Sequence, residues 1–239
     1  MHQRRLLALS STLAIIMTLL LTVGAGAAPA MTSSGDFAYT TYKLAHIQAT
    51  SSYQNGYSPV QIKGAYSLNG TSTGSGKTIA IVDAYDDPTA ANDFDVFSTQ
   101  FGLPTIAGGC NCFSKVDQTG GTNYPRTNSG WALEISLDIE WVHAIAPQAH
   151  ILLVEANSNS FANLLAAEDY ATAHAQVVSN SWGGSEFSSE TSSSYDGHFN
   201  KSVAITVSAG DSGTPADYPS ASPYVHHCLV GPPLPRRSP

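Results

Sequence analysis

The chain is 239 residues long; 42% of its residues are hydrophobic and 12% are charged. This balance is typical of a packed globular domain and excludes an intrinsically disordered chain, which has few apolar and many charged residues. The formal net charge is −8 at pH 7. Binding to a phosphate backbone, which needs clustered Lys and Arg, therefore has no electrostatic support, and nucleic acid is not an expected partner.

The first thirty residues are typical of a secretory signal peptide. A basic segment, His2–Arg5, precedes an apolar run from Leu6 to Val23, and small residues from Ala25 to Ala30 offer a cleavage site. The apolar run is also about long enough to span a bilayer, so a membrane anchor is the alternative. Because Ser and Thr interrupt the run and the small residues follow it directly, we predict a cleaved signal at 1–30. The mature protein is then expected to be secreted, with no membrane contact.

After a polar segment at 31–56, which has no clear period and is predicted to be an N-terminal arm or linker, short apolar runs alternate with helical stretches. The runs have little polar alternation, as expected for strands covered on both faces. They are Thr78–Asp83, His150–Glu155, Gln176–Ser179 and Val203–Ser208, with helices predicted at Thr89–Gln100 and Phe161–Ala175. This order predicts an α/β fold whose parallel sheet is flanked by helices, with function gathered at the carboxyl ends of the strands.

The stretch Trp131–Pro147 is the most informative part of the chain, although its periodicity fits a strand and a helix about equally well. Fifteen residues without a turn signal are long for a strand, so we predict a helix. On a helix, Glu134 and Asp138 lie four residues apart with Cβ atoms roughly 5 to 6 Å apart. Two adjacent carboxylates disfavour double ionisation, so one should keep its proton. The spacing alone fits an ordinary solvated helix face better.

Four motifs in chain order resemble the sedolisin family of serine-carboxyl peptidases over residues 57 to 225. Glu134, Leu137, Asp138 and Trp141, followed by Ala144 to Ala149, resemble its catalytic helix. The other three motifs are Tyr57–Tyr66 with Gly76–Tyr85, Val177–Gly184, and Ser208–Gly213 with Tyr218–Val225. The resemblance implies a three-layer subtilisin-like fold, incomplete at the C-terminus, with the peptidase domain at 57–225.

The resemblance also implies roles for four carboxyl side chains. Glu134 is the general base for a serine hydroxyl, and Asp138 holds and relays its proton; such a base works best near its own pKa, so the pH optimum should be acidic. Asp211 is the oxyanion residue when protonated. In isolation it would be taken for a turn residue. Asp83 falls where the family usually has a glutamate, so its link to Asp138 is left open.

The strand at Val177–Gly184 is implied to bind substrate. Ser181, Trp182, Gly183 and Gly184 are expected to line the cleft, where backbone groups pair with an extended peptide as an added strand. A core position is the alternative for Trp182. A subtilisin-type peptidase is the rival enzyme class, but it needs a His-Gly-Thr-His helix start that none of the eight histidines provides. His143, on the predicted helix, is expected at the surface.

Two family features are missing where the resemblance places them. The nucleophile in a Gly-Thr-Ser motif downstream of the oxyanion turn is absent, and so is the carboxylate and carbonyl calcium site near the C-terminus. Residues 226–239 contain four prolines and two arginines, and we expect this aberrant tail, a shifted frame or fragment end, not to continue the pattern. Only residues 31–56 separate the predicted signal peptide from the match, so we expect the large pro-domain of the family to be missing as well.

The sequence therefore predicts a secreted serine-type endopeptidase of the sedolisin type that acts on proteins at acidic pH. This chain itself is expected to be inactive because the nucleophilic segment is missing; a non-catalytic secreted peptide-binding module is the alternative. We expect protein or peptide substrates, a monomer, and no cofactor in this chain, with calcium in full-length relatives. Cys110 and Cys112 could close a tiny ring or bind a metal, but an ordinary loop feature is favoured.

Overall fold

Six parallel strands form the central sheet. The computed structural model describes residues 37–40, 56–68, 70, 73–210 and 216–228. The strands of the sheet are β2 (Thr78–Ala84), β3 (Phe113–Asp117), β4 (His150–Ala156), β5 (Val177–Asn180), β7 (Ala204–Ser208) and β8 (His226–Cys228). Their spatial order is β3-β4-β2-β5-β7-β8. The predicted signal peptide at 1–30 lies outside the described residues. Within them, no helix has the length and apolar character needed to cross a membrane.

A second, two-stranded sheet pairs β1 (Tyr39–Thr40) with β6 (Trp182–Gly183) in antiparallel register. The two strands are 143 positions apart in the chain, so β1 brings the predicted N-terminal arm to the end of β5. Residues 41–55 of that arm lie outside the described residues. Of the described arm residues, Tyr39 and Thr40 are thus part of a sheet.

The described residues contain four α-helices, which are α1 (Pro59–Ala65), α2 (Ala90–Phe101), α3 (Ser129–Ile145) and α4 (Phe161–His174). Three of them, α1, α3 and α4, follow a residue whose side chain accepts a hydrogen bond from a backbone N–H of the first turn. Ser58 and Gln61 form a reciprocal capping box on α1, which has Pro59 in its first turn. The Ser160 hydroxyl accepts a hydrogen bond from the N–H of Asn163 at the start of α4.

The helices cover the two faces of the sheet, and the apolar side chains divide accordingly. Ile81 and Leu153 pack with Phe94 of α2 and Ile135 of α3 on one face. Val82, Val154 and Leu164 of α4 belong to the core on the other face. Neighbouring residues of a strand point to opposite faces, and both faces are apolar here, which explains why the strands lack alternation. The predicted parallel three-layer fold is confirmed.

The predicted elements agree with the observed ones to within one or two residues, except at the edges of the sheet. Strand β3 was not predicted. The expectation that the pattern stops after Val225 is wrong for three residues, because His226–Cys228 pairs with β7 in parallel register. No proline lies between Val225 and Pro232, so the backbone N–H groups of β8 remain available. Residues 229–239 lie outside the described residues.

The structure also shows the positions of His143 and of the two neighbouring cysteines. His143 is buried, not at the surface: its ring packs against Phe94 and its Nε2 lies 2.8 Å from the carbonyl oxygen of Pro104. It faces the apolar space between α2 and α3, which the isolated sequence context does not reveal. Cys110 and Cys112 are joined in a disulfide with their Cα atoms 5.2 Å apart.

Candidate active site

The residue at which α3 begins determines that Glu134 and Asp138 face the sheet. The Asn128 side chain accepts hydrogen bonds from the N–H groups of Gly130 and Trp131, at 3.0 and 3.2 Å, and so fixes the first turn. Glu134 is 2% exposed. Asp138 is one turn further along and is partly exposed, but its Oδ2 atom is buried. The solvated helix face that the spacing alone favoured is not what the structure shows.

Asp83 meets these carboxyls from the sheet. It is the penultimate residue of β2, two positions after Ile81, so its side chain lies on the face that α3 covers. The residue is fully buried. Neither of its carboxyl oxygens has a hydrogen-bond partner within the described part of the chain. A buried carboxyl without partners is costly as an anion and strongly favours its protonated form.

A fourth carboxyl, Glu155, completes the group and was not predicted as a site residue. Glu155 is the register partner of Asp83 on the neighbouring strand β4, and it is fully buried. Register partners on adjacent strands point to the same face of the sheet. The sequence does carry a signal for it, since Glu155 is the one charged side chain within the apolar run of β4. We call Asp83, Glu134, Asp138 and Glu155 the carboxyl cluster.

Glu155 also has polar contacts with residues outside the cluster. Its Oε1 accepts a hydrogen bond of 2.9 Å from the N–H of Asp87 and lies 3.5 Å from Nζ of Lys115. Lys115 also contacts the Asp86 carboxylate at 2.6 Å and the carbonyl oxygen of Asp87 at 2.8 Å. The lysine thus places one positive charge beside the cluster, and it comes from β3, the strand that the sequence pattern missed.

The pKa values of the cluster are displaced upward, chiefly by burial. Burial raises the pKa of Asp83 well above its usual range, and the charges of Asp138, Glu134 and Glu155 raise it further. Burial raises the pKa of Asp138 to about 7, against the opposing effect of its hydrogen bond from Ser181. It also raises the pKa of Glu155 to about 8, opposed by the Asp87 N–H and by Lys115. The cluster therefore retains protons in mildly acidic solution.

Ser181, predicted to lie in the cleft, is in direct contact with this cluster. Its hydroxyl donates a hydrogen bond of 3.0 Å to Oδ1 of Asp138. Ser181 follows the end of β5 directly, so the carboxyl ends of β2 and β5 contribute Asp83 and Ser181 to the same place. The cluster thus lies at the carboxyl edge of the sheet, where function is predicted to gather.

Trp182 occupies a different place from the one predicted for its side chain. The indole is fully buried among Phe161 and Phe199, and its Nε1–H donates a hydrogen bond of 3.0 Å to the carbonyl oxygen of Val82. The expectation that Trp182 lines the cleft is wrong for the side chain, because β6 turns the ring into the apolar core on the α4 face. Its backbone remains at the sheet edge as part of β6.

Gly183 and Gly184 are buried and have close neighbours. A Cβ atom on Gly183 would lie 3.0 Å from Cβ of Asp217, and one on Gly184 would lie 2.8 Å from the ring of Phe161. The backbone of Gly183 pairs with Tyr39, and that of Gly184 forms a bridge with Tyr218. Both glycines therefore allow backbone to approach backbone, as the added-strand prediction requires.

Two predictions for the site remain, the oxyanion residue and the calcium site. Asp211, the predicted oxyanion residue, falls outside the described residues. No group of three or more His, Cys, Asp or Glu side chains in the described ranges is placed to hold a metal ion. The calcium expected for full-length relatives stays a prediction.

Comparison with known proteins gives a family match over part of the chain and a similar fold. Residues 127–226, which include Glu134, Asp138 and the strands β4 to β7, match the profile of the subtilase family (Peptidase_S8). The structure resembles Pseudomonas sedolisin, a serine-carboxyl proteinase solved with two molecules of pseudo-iodotyrostatin, with a TM-score of 0.63 and 20% sequence identity over 74% of this chain. The chain therefore has the subtilisin-like fold of sedolisin. The resemblance to sedolisins that the motifs carry is confirmed at the level of the fold.

The subtilisin-like domain covers 54% of the sedolisin chain, so it spans about half the length of that structure. A second solved structure, fervidolysin from Fervidobacterium pennivorans, a keratinolytic enzyme related to subtilisin, has a TM-score of 0.40. It is 18% identical over 67% of this chain and 25% of its own. No curated protein sequence matches the chain.

Proposed function

We propose that this subtilisin-like domain acts as a secreted serine-carboxyl endopeptidase of the sedolisin type, cleaving proteins at acidic pH. The observation that carries the proposal is the carboxyl cluster. Glu134 and Asp138 are brought by α3 to the carboxyl end of β2, where Asp83 and Glu155 are buried beside them. The family profile and the fold support a serine peptidase. Secretion is supported by residues 1–30 alone, and N-terminal sequencing of the exported protein tests it.

In the proposed reaction, Glu134 is the carboxylate that accepts a proton. The oxygen of a serine hydroxyl attacks the scissile carbonyl carbon, and the hydroxyl proton passes to Glu134. The carbonyl π pair moves to oxygen and gives a tetrahedral oxyanion, which a protonated Asp211 would stabilise by donating a hydrogen bond. Collapse breaks the C–N bond, and Glu134 returns its proton to the leaving amine. Water then attacks the carbonyl carbon of the acyl group and gives a proton to Glu134. Collapse of this second intermediate breaks the C–O bond to the serine, and Glu134 returns the proton to the serine oxygen.

Acidic conditions favour the cluster that this reaction needs. With the pKa of Asp138 at about 7 and that of Asp83 well above its usual range, both groups are protonated below neutral pH. A protonated Asp138 removes a like charge beside Glu134, the residue proposed as general base. Above neutrality, ionisation of further members of the cluster would place like charges side by side in a buried space, which is unfavourable.

The sequence lacks a nucleophilic serine motif at the position where the resemblance to sedolisins places it. No Gly-Thr-Ser motif follows the turn at Ser208–Gly213. The same three letters occur at 70–72, before the first residue of β2 in the sequence, whereas Asp83 lies near the carboxyl end of that strand. We therefore expect the 239-residue chain by itself to bind peptides without hydrolysing them.

An assay on a denatured protein substrate at pH 3 to 5 tests these statements. No turnover is expected from the 239-residue chain, and turnover would contradict the missing serine. The DNA after the codon for Val225 should be translated in the other two frames. If one encodes Gly-Thr-Ser, a chain joined to it should cleave the substrate, and Glu134→Gln should lower kcat at least about a thousandfold. Glu186→Gln, at an exposed position, is the matched control and should leave kcat unchanged.

A non-catalytic peptide-binding module is the second candidate, and one observation favours it. The edge of β6 already holds an extended segment, β1, in antiparallel register. Backbone pairing of this kind binds a peptide without any nucleophile. Peptide binding without turnover, in a chain whose gene encodes no Gly-Thr-Ser in any frame, would support this candidate over the peptidase.

A further inference from the structure

A groove runs along α3 on the face of the sheet that this helix covers, and it extends over the start of β5. The volume of the groove is about 410 Å³. The residues that line it include Leu137, Trp141, Ile145, Ile79, Val177 and Thr206. Because most of these side chains are apolar, exposing the groove to water is unfavourable.

The groove remains because α2 and α3 cover only part of this face. Among the described residues, the buried core on this face contains side chains of β2 and β4 and none of β5 or β7. Val177 of β5 and Thr206 of β7 are half-buried, and Leu137 of α3 is 40% exposed. An exposed apolar surface of this kind is typical of a site at which another segment binds.

The chain leaves the described residues close to this groove. Strand β8 ends at Cys228, the register partner of Ser208 at the carboxyl end of β7. β7 lies between β8 and β5 in the sheet. Since neighbouring strands are about 4.8 Å apart, Cys228 is roughly 10 Å from β5. Three residues that extend by about 3.3 Å each are enough to cover this distance.

Residues 229–239, which we call the proline-rich segment, have the composition of a ligand for an apolar groove. They read Leu-Val-Gly-Pro-Pro-Leu-Pro-Arg-Arg-Ser-Pro. Proline favours the polyproline II conformation, in which the backbone needs no strand partner. Because this conformation is preformed, proline-rich segments bind at low entropic cost in grooves lined by aromatic side chains. Trp141 supplies such a side chain here.

The length of the groove along α3 matches the four residues Pro232–Pro235. From Asp138 to Ile145, both of which line the groove, the helix advances about 10 Å. Four residues of polyproline II span about 12 Å. Leu234 is the one side chain among these prolines that is long enough to enter the groove between Leu137 and the sheet.

The direction of the chain brings two arginines to the end of α3. This helix connects the carboxyl end of β3 to the amino end of β4, so its last turn lies at the amino edge of the sheet. A segment that enters the groove from Cys228, at the carboxyl edge, therefore leaves it beside Ile145. Arg236 and Arg237 follow directly after Pro235. The helix dipole favours positive charge at this end, and the net charge of −8 acts in the same sense.

We propose that the proline-rich segment binds in this groove and covers the face of β5 and β7 that α2 and α3 leave open. Leu234 lies against Leu137 and Trp141, and the two arginines lie beside the carbonyl groups that end α3. The proposal goes beyond the proposed function and does not depend on it, since it stands on the groove, the strand order and the sequence of the segment.

Limited proteolysis of the full chain tests the proposal. Trypsin cleaves after Arg236 and Arg237, and mass spectrometry reports the loss of the residues that follow. Trypsin cuts a bound segment only while the segment is released, so the cleavage rate follows the released population. Cleavage at these two bonds should be at least about tenfold slower in the full chain than in a synthetic peptide of residues 229–239.

Two variants should release the segment from opposite sides of the contact. Leu137→Asp places a charge on the wall of the groove, and Leu234→Asp places one on the segment. Each should raise the cleavage rate at least about tenfold, because an unpaired charge is costly in an apolar contact. Leu133→Asp is the matched control. Leu133 lies one turn earlier on α3, is 44% exposed and is outside the groove, so this variant should leave the rate unchanged.

Equal cleavage rates in the unaltered chain and in Leu234→Asp would overturn the proposal. Leu234→Asp changes no residue of the described core, so this comparison holds even where Leu137→Asp fails to fold. Protection that is lost on dilution would also overturn it, because the segment of a second copy would then fill the groove. Trypsin supplies the hydrolysis in this assay, so its outcome is distinguishable from that of the Glu134→Gln assay, which reports the proposed peptidase activity.

Discussion

Asp83 and Glu155 are register partners on the neighbouring strands β2 and β4, which places two fully buried carboxyls side by side on the face covered by α3. Two such groups cannot both ionise at low cost. Glu155 has Lys115 and the Asp87 N–H to compensate a negative charge, whereas Asp83 has no hydrogen-bond partner in the described chain. Asp83 is therefore the member of the pair that keeps its proton.

Replacing Asp83 by Asn should flatten the dependence of stability on pH. The folded state raises the pKa of Asp83, so the folded state binds more protons than the unfolded one, and stability is complete below about pH 4 and is lost as the pH rises. One such group contributes a slope of up to about 1.4 kcal/mol per pH unit. Urea unfolding of Asp83→Asn between pH 4 and 8 should show a shallower slope than the original chain. Equal slopes would contradict the buried protonated carboxyl, and Glu186→Gln serves as the exposed control.

Glu168 on α4 should have a similar effect from the opposite face of the sheet. It is fully buried, and burial raises its pKa to about 8, with smaller lowering effects from Asn180 and Lys201. Glu168→Gln keeps the shape and removes the charge. The variant should therefore match the original chain in Tm at pH 4 and exceed it at pH 8, by roughly 2–4 °C per kcal/mol gained. A lower Tm at pH 8 would show that Glu168 is stabilised as an anion.

Removing the Ser181 hydroxyl should raise the pKa of Asp138. The hydrogen bond from Ser181 stabilises the ionised form of that carboxyl and opposes the effect of burial. A carbon-13 NMR titration of the Asp138 carboxyl should show the upward shift in Ser181→Ala. Ser188→Ala, at an exposed position, should leave the titration unchanged. A pKa that stays at about 7 in Ser181→Ala would show that the hydroxyl does not interact with the carboxylate in solution.

Trp182→Phe tests the buried position of the indole. The change removes the hydrogen bond to the carbonyl oxygen of Val82 and leaves space among Phe161 and Phe199. A loss of about 1–3 kcal/mol in the free energy of unfolding is expected. Trp141→Phe, at a partly exposed position of α3, is the control and should cost less. A loss no larger than that of the control would mean that Trp182 is not packed in the core.

The strands buried on both faces could be predicted from the sequence because their apolar runs are local signals. Strand β3, Phe-Ser-Lys-Val-Asp, is half-buried and short of apolar residues, so its sequence carries a weak signal. The pairing of Asp83 with Glu155 depends on register, which is set by contacts between segments 72 positions apart. The pairing of Tyr39 with Gly183 is more distant still. Glu134, Asp138 and Ser181 could be predicted from local motifs. Glu155 and Lys115, which lie beside them, could not.

The cap at Asn128 also fixes the direction in which the carboxyl side chains of α3 point around the helix axis. Each residue of an α-helix turns by about 100°, since 3.6 residues complete one turn. Insertion or deletion of one residue between Asn128 and Glu134 would swing both carboxyls of α3 by about 100° away from β2, while leaving the helix itself intact. The spacing of six residues between Asn128 and Glu134 therefore determines the direction in which the carboxyls point. Substitutions, which keep this spacing, are tolerated more readily than insertions or deletions, which change it.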